Sequence, residues 1–179
     1  MLRLLFVPVF WWLLYRDQIA LAGWLVGIIA ATDWVDGYLA RRLNQVTNLG
    51  KALDPVADRL IIASAVIGGL IVGVVPLVFG WLLILREAIM AGLAIVLSAR
   101  GADQLVVRRA GKVATFLVYF SIPAFYIAES GQLEWIAWPV AWGAGVIGLI
   151  LYYMVMIRYF GDARVNLSAV ESRPGPEEA

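Results

Sequence analysis

The sequence predicts an all-α integral membrane protein with six transmembrane helices. Two observations carry that prediction, and a third orients the array. Hydrophobic residues make up 63% of the 179 residues and charged residues 15%, against about 45–50% and about 25% in soluble domains. A soluble fold of this size needs more polar surface, so the excess apolar area has to face lipid. The apolar residues also gather into six stretches joined by short polar links. The third observation is the placement of the basic residues.

The first stretch, residues 1–15, is short against the roughly 20 residues of a full span. It begins Met1-Leu2-Arg3 and turns apolar at once, as a signal peptide does. No small-residue cleavage site follows and further spans do, so it reads as a first membrane helix. So abrupt a start raises the expectation of residues upstream. Span two runs from Ile19 to Leu39, span three from Val56 to Val74, and span four from Pro76 to Ala99; span five covers 113–128 and span six 135–159. Trp135, Trp138 and Trp142 open the sixth, where indole rings settle near an interface. Gly68, Gly69, Gly143, Gly145 and Gly148 read as small residues that let membrane helices approach. Residues 1–160 thus make one six-helix transmembrane domain. Residues 161–179, ending in Pro174, Gly175, Pro176, Glu177 and Glu178, make a polar cytoplasmic tail expected to be disordered.

Arg41, Arg42 and Lys51 follow span two; Arg100, Arg108, Arg109 and Lys112 follow span four; Arg158, Arg164 and Arg173 follow span six. The opposite connections carry only Arg16, beside Asp17, Glu129 and Glu134. The positive-inside bias therefore puts both chain ends and the Arg41–Lys51 loop in the cytoplasm. A net charge of +1 says nothing about partners, and no nucleic acid partner is expected. Without cysteine or histidine, the chain has no disulfides, no thiolate or imidazole metal site, and no Ser-His or Cys-His catalysis.

Four carboxylates stand at the ends of two apolar helices. Asp33 and Asp36 are three residues apart and Asp54 and Asp58 four apart, so each pair shares a helical face. The linker holds Gly37, Arg41, Arg42, Asn44, Thr47, Asn48 and Gly50, which allows the helices to pack antiparallel with the pairs facing. A carboxylate near hydrocarbon costs about 2.5–3.5 kcal/mol, and four together also repel. Helix capping or surface ion pairing accounts for one such residue but poorly for two same-face pairs around one turn. Arg41, Lys51 and Arg59 supply some positive charge, and a divalent metal supplies more. An all-oxygen ligand set suits magnesium or manganese, which shares its shell with substrate phosphates.

The residues read Asp33-x-x-Asp36-Gly37-x-x-Ala40-Arg41, eight residues, then Gly50-x-x-x-Asp54-x-x-x-Asp58. This pattern resembles the signature of the CDP-alcohol phosphatidyltransferases, and the six-span layout extends the resemblance over most of the chain. The resemblance implies a homodimeric six-helix membrane fold in the cell (inner) membrane, its active site open to the cytoplasm. It implies two metal ions on Asp33, Asp36 and Asp54, with Asp58 completing the second site and acting as general base. It also implies that Gly37, Arg41 and Thr47 contact the CDP moiety of a CDP-diacylglycerol. A glycine at 37 lets a nucleotide approach the backbone, and the Arg41 fork suits phosphate oxygens. Members of the family also carry an amphipathic segment with a Pro-Asn pattern ahead of span one, which this sequence begins after.

The implied reaction joins the lipid-linked phosphate to an alcohol and releases CMP. The stretch Leu53-Asp54-Pro55-Val56-Ala57-Asp58-Arg59 is similar to phosphatidylglycerophosphate synthases and to the cardiolipin synthases of the same family, and less so to inositol-phosphate enzymes. Arg86-Glu87 in span four, and Arg108 to Lys112 with Thr115 beyond, are similar to segments lining the acceptor pocket. Arg86, Arg109 and Lys112 are therefore the candidates for holding an acceptor phosphate, with Arg158 behind them. Positive-inside charge equally explains Arg109 and Lys112, and a neutralising pair equally explains Arg86 and Glu87. Glycerol 3-phosphate is the first choice of acceptor and phosphatidylglycerol the second. An ion-coupled transporter is the rival class, but its acids belong near the midplane and its halves repeat. A non-catalytic scaffold leaves the four acids unexplained.

Overall fold

The computed structural model describes residues 2–43, 48–101 and 109–171, with side chains over 5–32, 59–101 and 109–168. Six helices follow in order: α1 Leu2–Tyr15, α2 Ile19–Leu43, α3 Asn48–Val72, α4 Leu77–Ala99, α5 Arg109–Glu129 and α6 Glu134–Glu171. Each coincides with one expected apolar stretch, and the described residues contain no strand. Helices α4, α5 and α6 are long and apolar enough to cross a membrane. The described apolar segments of the others, Leu5–Tyr15, Ile19–Thr32 and Arg59–Val72, are shorter.

The connections are tight because the backbone turns within a few residues. Asp17 takes φ 55°, and the Asp17 and Gln18 N–H groups donate to the Leu14 and Leu13 carbonyls at 3.0 and 2.9 Å. Gly131, with φ 79°, closes α5 by the same pair of bonds, to Ala128 and Ile127. This is the left-handed helix end that satisfies the final carbonyls.

The helices pack around α5. Helix α6 lies along most of it, α2 lies on another face, and α1 packs against α2 and α3. In lipid, helices associate by close packing and hydrogen bonds rather than by leaving water, and small residues occupy the contacts. A methyl group on Gly23 of α2 would sit 2.6 Å from Tyr126 Cβ of α5. Tyr126 is wholly buried where four helices meet: its hydroxyl donates to the Ala65 carbonyl of α3 at 2.6 Å, and its ring meets Phe10 of α1 edge-on. Ser121 of α5 donates to the Ala141 carbonyl of α6 at 2.7 Å, beside Gly145. Direct contact between α2 and α3 is slight among the described residues, since α1 and Tyr126 fill much of the space between them.

Expectations shift at several helix ends: α2 runs past Leu39 to Leu43, and α3 begins at Asn48, ahead of Val56. Helix α5 begins at Arg109, a turn before 113, which brings Arg109 and Lys112 onto the helix. Helix α6 runs to Glu171, so the stretch from residue 161, expected to be disordered, is helical that far. Its 38 residues span about 57 Å, well beyond a hydrocarbon core of about 30 Å. The extension persists because Tyr159 and Ala163, one helical turn apart, remain buried.

Candidate active site

The signature falls on the adjoining ends of α2 and α3. Asp33, Asp36, Gly37 and Arg41 lie in the C-terminal half of α2, and Asp54 and Asp58 in the N-terminal half of α3. The side chains of these six residues, and Thr47 altogether, lie outside the described residues. The flanks are described. On α2, buried Ile29 gives way to exposed Ala31 and Thr32, and Thr32 Oγ1 donates to the Ile28 and Ile29 carbonyls at 3.0 and 2.9 Å. On α3, exposed Arg59 and Leu60 give way to buried Ile61. Exposed residues thus flank the signature on both helices.

The donor set fits a hard divalent cation. Carboxylate oxygens are what magnesium and manganese take, and the chain contains no histidine or cysteine to draw a softer ion. Among the described residues, no group of three or more acidic side chains gathers.

The second part of the site crosses α4, α5 and α6. Arg86 sits mid-way along apolar α4 and is 8% exposed. Its Nη1 is paired with the carboxylate of Glu87, so the two charges offset each other where either alone would be costly. The face of its guanidinium lies over the Tyr152 ring of α6, Cζ to centroid 3.9 Å, as a cation over an aromatic quadrupole. The Tyr152 hydroxyl donates to Thr115 Oγ1 of α5 at 3.2 Å, and Thr115 donates to the Gly111 carbonyl at 3.0 Å. Tyr153 donates to the Leu82 carbonyl at 3.0 Å, pinning α6 to α4 one turn before Arg86. The Arg86 Nε is buried without a partner among the described residues.

Of the expected acceptor-binding residues, Arg86 therefore joins Thr115 through Tyr152. Arg109 and Lys112 are both exposed in the first turn of α5, one to two turns from Thr115. Two cations at a helix N-terminus add to the positive end of its dipole, an arrangement that an anion relieves. Arg59, next to Asp58 in sequence, is exposed. Tyr152 itself was not legible: it lies 66 residues after Arg86 in an apolar run, and only the packing of α4 on α6 brings the two together.

Residues 1–156 match the family model for CDP-alcohol phosphatidyltransferase, and the chain belongs to that family of membrane enzymes. It is 33% identical over 171 residues to a cardiolipin synthase (CMP-forming) of Streptomyces coelicolor, covering 92% of this chain and 80% of that protein. A putative cardiolipin synthase of Mycobacterium tuberculosis is 32% identical over 162 residues, 88% of this chain and 77% of that protein. A CDP-diacylglycerol–glycerol-3-phosphate 3-phosphatidyltransferase of Bacillus subtilis is 38% identical over 122 residues, 68% of this chain and 62% of that protein.

Proposed function

We propose that this chain transfers a phosphatidyl group from CDP-diacylglycerol to the primary hydroxyl of a glycerol phosphate unit and releases CMP. Glycerol 3-phosphate and phosphatidylglycerol both present that unit, one as a soluble monoester and the other as a lipid diester. What supports the reading is the aspartate signature carried on α2 and α3, together with three basic residues, Arg86 on α4 and Arg109 and Lys112 on α5. A diphosphate donor and an anionic acceptor ask for these two features.

In this reading Asp33, Asp36, Asp54 and Asp58 hold two magnesium or manganese ions, which when bound neutralise the diphosphate and the departing CMP. Gly37, Arg41 and Thr47 hold the CDP moiety, with the Arg41 fork on phosphate oxygens. Arg86, Arg109 and Lys112 draw the acceptor phosphate in, which sets its hydroxyl toward the lipid-bearing phosphorus. Asp58 takes the proton as the new oxygen–phosphorus bond forms. The bond to CMP breaks and its electrons leave with CMP. The site opens to the cytoplasm of the cell membrane, and the enzyme works as a homodimer.

Glycerol 3-phosphate is the favoured acceptor: Arg109 and Lys112, in the accessible first turn of α5, suit a soluble dianion, and a relative named for that activity is 38% identical. Phosphatidylglycerol is the second reading, favoured by the relatives that match over the greater part of the chain. Purified protein given CDP-diacylglycerol and both acceptors together separates them by product mass. Phosphatidylglycerophosphate is the expected product, and cardiolipin alone would overturn the first choice.

A further inference from the structure

We infer that Tyr152 is a positioning residue that holds Arg86 with its Nε edge turned to the acceptor phosphate. This rests on the acceptor reading above and adds to it the device that aims the guanidinium.

A guanidinium offers five donors in one plane, and two of its surfaces are already occupied here. Glu87 takes the Nη1 end and the Tyr152 ring covers one face at 3.9 Å. Among the described residues the buried Nε–H has no partner, although a buried donor is nearly always paired. A phosphate oxygen is the acceptor that an arginine edge best fits.

The surroundings fix this orientation. Arg86 stems from α4 and Tyr152 from α6, and Tyr153 ties the same two helices at Leu82, one turn from Arg86. The Tyr152 hydroxyl is held by Thr115, whose own hydroxyl donates to Gly111 in the first turn of α5. The ring is 5% exposed, so it has little freedom to turn away. A structural tie alone would need no unpartnered donor. An aimed arginine needs one until the acceptor arrives.

The test compares wild type with Tyr152→Phe and Tyr152→Leu in detergent micelles, titrating glycerol 3-phosphate and then phosphatidylglycerol against saturating CDP-diacylglycerol. Phenylalanine keeps the ring face and is expected to stay within threefold of wild type. Leucine removes it and is expected to raise the KM of the acceptor in use at least tenfold, with kcat and the KM for CDP-diacylglycerol within twofold. If Tyr152→Leu does not fold, Tyr152→Met takes its place with the same expectation. An unchanged acceptor KM in a folded variant would overturn the positioning role and leave the transferase reading intact. Parallel losses in kcat and both KM values would also overturn it, as those of a merely structural residue. Wild-type protein that uses neither acceptor would sink both the role and the reading beneath it.

Discussion

Gly145 on α6 is where the closeness of α5 and α6 can be measured. A methyl group there would lie 2.5 Å from Ser121 Oγ and 3.0 Å from Phe79 Cε2. Neither neighbour yields freely: Ser121 is bonded to the Ala141 carbonyl at 2.7 Å, and Phe79 packs on Phe125 with ring centroids 5.4 Å apart. Overpacking of this kind costs about 1–3 kcal/mol, while alanine gains up to about 1 kcal/mol over glycine in helix propensity. With two blocked neighbours, a net loss of about 1–2 kcal/mol is expected for Gly145→Ala. Ser121→Ala removes the nearer clash and one hydrogen bond, which in membrane bundles is worth about 0.6 kcal/mol. The double variant should then be more stable than the sum of the singles by roughly 1 kcal/mol, within the range for touching residues. Gly143, on the same helix, is the control, because a methyl group there would meet nothing within 4 Å. Gly143→Ala should be neutral or slightly stabilising. The assay is reversible unfolding of the purified protein in mixed micelles by denaturing detergent. A stabilised Gly145→Ala with no coupling to Ser121 would refute the close approach of α5 and α6.

Tyr126→Phe should cost about 0.6 kcal/mol and no more than about 1.7 in the same assay, because it deletes only the bond to Ala65 and leaves the ring in place. Tyr126→Ala should cost far more, since α1, α2 and α3 all rest on that side chain. Glu87→Ala should lower the detergent melting temperature more than Arg86→Met does: the first strands the more buried charge, an arginine side chain 10% exposed, while the second strands a carboxylate side chain 40% exposed. The reverse order would mean that the charge of Arg86 is neutralised elsewhere.

The helices were readable because lipid demands long apolar runs, and each run became one helix. The signature was readable because its spacing lies within one stretch of sequence. The α6 extension was not, since the polar composition after residue 161 hides the buried pair Tyr159 and Ala163. Tyr126 and Tyr152 were not readable either. Each acts across helices distant in sequence, and a tyrosine in an apolar run carries no mark of the carbonyl or guanidinium it will meet. Arg86 was legible as an oddity, an arginine inside an apolar helix, and its surroundings needed the packing of α4 on α6.

The most direct measurement is CMP release from CDP-diacylglycerol by wild type and Asp58→Asn, with manganese binding to each followed by electron paramagnetic resonance. Wild type should release CMP only with magnesium or manganese present and an acceptor supplied, and Asp58→Asn should keep manganese at the site held by Asp33, Asp36 and Asp54 yet lose turnover. Metal-independent release, or near-normal turnover by Asp58→Asn, would contradict the assignment of these aspartates to a metal-assisted phosphatidyl transfer.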